Sequence, residues 1–87
     1  MDVTGVLQHL ASECGETTQA AIKMIQFGVK AQQPFSDPHK TNQRALEEEI
    51  GDVIALATLL EELGVVRNHK ITKRVNEKLA KYRRKYN

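Results

Sequence analysis

The sequence predicts an all-α fold of three helices in a single small domain spanning residues 1–87. Three observations lead there. Three segments repeat their apolar residues with the helical period, and none alternates with the period of two that a half-buried strand requires. The breakers Gly28, Pro34, Pro38 and Gly64 fall where those segments end.

The first helix is expected from Val3 to Phe27, with Gly28 at a position where helices commonly stop. Residues 28–40 carry Gly28, Pro34, Ser36, Asp37 and Pro38 and read as a loop, with either Asp37-Pro38 or Thr41 capping the second helix. That helix is expected to run to Leu63 and end at Gly64. The third is expected from Lys70 to Tyr86, because Ile71, Val75, Leu79, Tyr82 and Tyr86 fall on one face. Both tyrosines lie on that apolar stripe, which assigns them to a core.

A chain of 87 residues buries little more than about 60% of the surface its unfolded form exposes, so a helical bundle completed by a second copy is expected. The single Cys14 has no internal disulfide partner, and its place on the flank of the first stripe suggests a small core residue. No stretch approaches the roughly 18 apolar residues of a membrane span, and Met1-Asp2-Val3-Thr4 lacks the features of a signal peptide, so a cytoplasmic location is expected.

The formal charge of +2 conceals a division. Residues 1–66 hold ten acids and four bases, a net of −6, whereas residues 67–87 hold nine bases and one acid, a net of +8. A basic block of this kind is either a phosphate or nucleic-acid contact or a solvated helix face that tolerates positive charge near its C-terminus.

The acids are more informative than their number. A helix turns about 100° per residue, and with Glu13 at zero, Val6, Thr17, Ala20, Met24 and Phe27 lie within about 40° and Glu16 about 60° away. With Glu49 at zero, Ala45, Val53, Leu56, Leu60 and Leu63 lie within about 40° and Asp52 about 60° away, while Glu47 and Glu48 point about 160° and 100° off, into solvent. Each helix thus carries an E-x-x-[ED] pair, Glu13/Glu16 and Glu49/Asp52, on the face that must be buried. Such acids take up protons, pair with bases or bind a cation. Pairing with Lys23, Arg44 or a third-helix base is the structural alternative to a metal. Oxygen-only ligation favours a hard ion, Mg²⁺ with Mn²⁺ as the alternative. A di-iron carboxylate bundle needs Glu-x-x-His on two helices, and His9, His39 and His69 each lack that glutamate; His9, about 40° from Glu13, is the one histidine able to approach the acids. No Gly-rich phosphate loop, Ser-His-Asp arrangement or zinc spacing is present.

Ser12-Glu13-Cys14-Gly15-Glu16 through Lys23 and Phe27-Gly28, then Thr41-Asn42 leading into Leu46-Glu47-Glu48-Glu49-Ile50-Gly51-Asp52-Val53, and finally Asn76-Glu77-Lys78 resemble the MazG-like members of the all-α nucleoside triphosphate pyrophosphohydrolases. The resemblance covers nearly the whole chain and is closest to small single-domain versions of bacteria and phages, including those that hydrolyse dGTP in phages with altered adenine. It implies cleavage of a nucleoside triphosphate between the α and β phosphates, with Mg²⁺ held by Glu13, Glu16, Glu49 and Asp52. It also implies contacts to the triphosphate tail from Lys23, Asn76 and Lys78, a homodimer or homotetramer, and, for a phage-encoded protein, the host cytoplasm. The choice of general base stays open; Glu16 is preferred because the edge of the stripe lets it orient a water. Many relatives carry extra helices or a longer N-terminal segment at the base pocket, whereas here only Asp2 to Leu7 precede the first turn of the motif, so base preference is open.

The competing reading is a helical dimer that binds nucleic acid through its basic C-terminal helix without catalysis. It leaves Glu13 and Glu49 unexplained, so nucleic acid is not the expected partner. A purely structural or antitoxin-like helical dimer would require only the apolar stripes.

Overall fold

The computed structural model describes residues 2–31 and 40–87 and contains three α-helices: α1 Val3–Phe27, α2 Asn42–Glu62 and α3 Asn68–Lys85. No strand occurs among the described residues. Among the described residues, no helix is long and apolar enough to cross a membrane.

The helix ends follow from local chemistry. Asp2 caps α1 by accepting the Gly5 N–H at 3.0 Å, and Thr41 caps α2 by accepting the Arg44 N–H at 3.1 Å. The alternative cap at Asp37-Pro38 lies outside the described residues. At the far end of α2, Val65 N–H donates to the Leu60 carbonyl and Gly64 N–H to that of Glu61, at 3.0 and 2.9 Å. This closure requires the left-handed backbone of Gly64, whose φ is 75°. α3 begins at Asn68, two residues before the expected Lys70, and Arg67 offers it no side-chain cap.

α1 and α2 pack against each other, and α3 makes no comparable contact with either. Its side-chain tie to the rest of the chain joins Asn68 Nδ2 to the Glu61 carboxylate at 3.3 Å. The radius of gyration, 15.4 Å, exceeds the about 12 Å expected of a compact chain of this length. The apolar core accordingly reduces to Ala20, Ala45, Leu56 and Leu60, while Ile25, Ile54, Val75, Leu79, Tyr82 and Tyr86 are exposed. Tyr82 and Tyr86 are therefore not core residues among the described residues, where neither α1 nor α2 packs extensively on α3. Cys14 is likewise exposed rather than part of the core.

The most buried side chain is polar. Asn42, 1% exposed, opens α2 and donates its amide to the Gly28 carbonyl at 3.0 Å, with a longer contact of 3.5 Å to the carbonyl of Lys23. Its own N–H donates to Ala31, and the next N–H, that of Gln43, donates to Val29, at 2.8 and 3.0 Å. Asn42 thus ties the end of α1 to the start of α2, and from there the two helices run antiparallel. Both rise about 1.5 Å per residue, so with Asn42 beside Lys23 the register sets Ala45 level with Ala20, Glu49 with Glu16 and Asp52 with Glu13.

Asn42→Ala removes the hydrogen bond to the part-buried Gly28 carbonyl, at a cost of about 1 kcal/mol, which lowers the thermal midpoint of a domain this size by about 4–8 °C. An unchanged midpoint in calorimetry would show that the tie does not hold the pair in register.

Candidate metal centre

The antiparallel register brings the two acidic motifs together. Glu13, Glu49 and Asp52 each offer a carboxylate oxygen such that all three lie within 4.8 Å of one another. Burial is graded across the cluster: Glu13 is 9% exposed, Glu49 half-buried, and Asp52 at the solvent rim. Glu47 and Glu48 are exposed, as the helical phase requires.

Three carboxylates this close repel one another strongly in a partly desolvated setting. Burial first, then the adjoining acids Glu13 and Glu16, push the Glu49 carboxyl up to about 7. Two oxygens, Glu13 Oε2 and Glu49 Oε2, are buried and have no hydrogen-bond partner. The other Glu13 oxygen lies 3.2 Å from His9 Nε2, so the histidine singled out by its helical angle does reach the acids. Among the described residues, no Lys or Arg forms an ion pair with Glu13, Glu16, Glu49 or Asp52; Arg44 pairs with Glu48 instead, at 3.0 Å. Lys and Arg side chains among the described residues therefore do not account for these acids. An all-oxygen donor set with two orphaned buried oxygens suits a hard divalent cation, which Glu13, Glu49 and Asp52 could hold.

Glu16 adjoins Glu49 but is not one of the three whose oxygens lie within 4.8 Å of one another. It is exposed and lines an adjoining cavity of about 200 Å³ together with Glu49, Lys23 and Lys40. Lys23 therefore reaches the same cleft as the acids. Asn76 and Lys78 do not line the cavity; they lie on α3, where the Lys78 ammonium sits 5.8 Å from the centre of the Tyr82 ring. Two residues of this region have roles that the sequence does not assign: Lys40 at the cavity, and Asn42 as the register tie. Their signal is slight, since each flanks the capping Thr41 and neither occupies a periodic position.

No protein-family profile, curated protein or solved structure matches the chain.

The raised Glu49 carboxyl makes the chelated protein pH-dependent in a definite direction. Between the ordinary carboxyl value of 4.5 and about 7 the folded state binds the extra proton, so the stability it contributes is full below that window and is lost as pH rises through it. In thermal unfolding with EDTA over about pH 5 to 8, Glu49→Gln, which cannot titrate, should flatten this decline. Parallel profiles for the variant and the wild type would remove Glu49 as its source.

Proposed function

We propose that the chain is a Mg²⁺-dependent nucleoside triphosphate pyrophosphohydrolase. It would cleave an NTP or dNTP, with dGTP among the candidates, to the monophosphate and pyrophosphate in control of the nucleotide pool. The observation that carries this reading is the pair of buried, unpartnered oxygens on Glu13 and Glu49 beside Asp52, with Glu49 also lining a cavity shared with Glu16 and Lys23. The likeness of the two acidic motifs to the MazG-like family supports it.

In this reading Glu13, Glu49 and Asp52 hold the ion, with Glu16 as a further ligand or as the base. A Mg²⁺ ion held there would neutralise phosphate charge, polarise the α-phosphorus and make an attacking water more acidic. Glu16, on the cavity wall beside Glu49, orients that water and takes its proton as the oxygen attacks the α-phosphorus. The bond from the α-phosphorus to the bridging oxygen breaks, and pyrophosphate leaves with the bond's electron pair. Lys23 supplies a cation to the phosphate oxygens across the cavity. Asn76 and Lys78 join this clamp when α3 of a second copy covers the cleft. The exposed apolar side chains of α3 support a homodimer or homotetramer in which that face is buried.

The exposed basic α3 also favours a second reading, attachment to nucleic acid without turnover. One assay separates the two: pyrophosphate release from the common NTPs and dNTPs, with and without Mg²⁺. Release should require the metal. Glu13→Gln and Glu49→Gln should each lower it by more than about a hundredfold, beyond the loss caused by removing an outer partner of a metal ligand, while Glu47→Gln retains it. Absence of release from every nucleotide, together with salt-sensitive retention on DNA, would favour the second reading.

A further inference from the structure

Lys40 occupies an unusual position at this cavity. It immediately precedes the cap Thr41, three-quarters buried, and its ammonium lies 2.6 Å from Glu48 Oε2. The other oxygen of Glu48 accepts a hydrogen bond from Arg44 Nε at 3.0 Å. Glu48 thus has two cationic partners, which lower its carboxyl below the ordinary range, while Lys40 is raised by its contact with Glu48. The arrangement is asymmetric. If Lys40 departs, Glu48 keeps Arg44 and stays in contact with water, so no charge is stranded. Lys40, by contrast, has a flexible four-carbon stem and three donors, and the cavity it lines is also lined by a second cation, Lys23, and by the acids Glu16 and Glu49.

We infer that Lys40 is an anion-binding residue that exchanges Glu48 for the non-bridging oxygens of a polyphosphate tail, with Glu48 as its resting counter-ion. The inference deepens the proposed function and rests on reading this cavity as a polyphosphate site. A volume of about 200 Å³ is below the about 300–1,000 Å³ of pockets that enclose whole drug-sized ligands. A whole nucleoside triphosphate is therefore not enclosed by it, and the two lysines of its lining suit the charged tail. Lys40 consequently reads phosphate and not base, so its loss weakens every nucleoside triphosphate to a similar extent.

The test is calorimetric binding of inorganic tripolyphosphate to the full chain, with Mn²⁺ binding measured in parallel. Lys40→Gln should weaken tripolyphosphate binding by about tenfold, the effect of one charge-assisted contact. Lys40→Arg should restore most of it. Glu48→Gln, which frees the lysine from its resting partner, should tighten binding by about twofold or more. Lys81→Gln, on the exposed α3, controls for diffuse attraction and should change little. Mn²⁺ affinity should be the same in the wild type and Lys40→Gln. Wild-type tripolyphosphate affinity in Lys40→Gln, equal weakening in Glu48→Gln, or no binding to the wild type at all would overturn the inference. If Mn²⁺ binds while Lys40→Gln is silent, Lys40 fails and the metal reading survives. If tripolyphosphate binding depends on Lys40 and Mn²⁺ does not bind, the metal reading fails and the role of Lys40 stands.

Discussion

Like-charge repulsion between α1 and α2 is the constraint around which this small structure is arranged. Two helices that supply most of the chain's core meet with Glu13 and Glu49 turned inward and Asp52 at their rim. Carboxylates so placed oppose the packing that brings them together, and without a cation or a proton they weaken the contact on which the fold relies. The core set against this repulsion is small: among the described residues, two alanines and two leucines are buried. Little apolar burial is in reserve, so the charge state of the cluster weighs heavily on the stability of the pair.

The register that creates the cluster is held at its other end. Asn42, wholly buried and bonded to carbonyls at the end of α1, fixes where α2 starts. Every later pairing results from equal rise along two antiparallel helices. A polar side chain in this role specifies alignment in a way that interchangeable alanines and leucines do not. The same alignment sets Lys23 and Lys40 on the cavity beside Glu16 and Glu49. One buried amide thus positions both the acids and their opposing cations.

Much of this is legible in the residues. Helical phase separates Glu49 from its neighbours Glu47 and Glu48, and it places His9 near Glu13, because direction about a helix axis depends only on residue spacing. The Gly64 stop and the Thr41 cap are equally readable, since both rest on local backbone chemistry. Periodicity does not reveal which helix packs on which. The apolar stripe of α3 reads like that of a core helix, yet Tyr82 and Tyr86 are exposed because, among the described residues, neither α1 nor α2 covers them. The angle of Cys14 suggests a core residue for the same reason, on a stripe broader than the contact that buries it. The roles of Lys40 and Asn42 arise from long-range contacts at the loop-to-helix junction, where no periodic pattern operates.

That the inward acids await a divalent cation is tested most directly by comparing thermal unfolding of the wild type with the double variant Glu13→Gln/Glu49→Gln, in EDTA and in excess Mg²⁺. Removing two repelling carboxylates should raise the melting temperature in EDTA above that of the wild type. Excess Mg²⁺ should raise the wild-type midpoint by mass action and leave the variant unmoved. A wild type indifferent to Mg²⁺, with a double variant that melts lower in EDTA, would show instead that the acids are held by stabilising contacts within the protein and that no cation site lies between these helices.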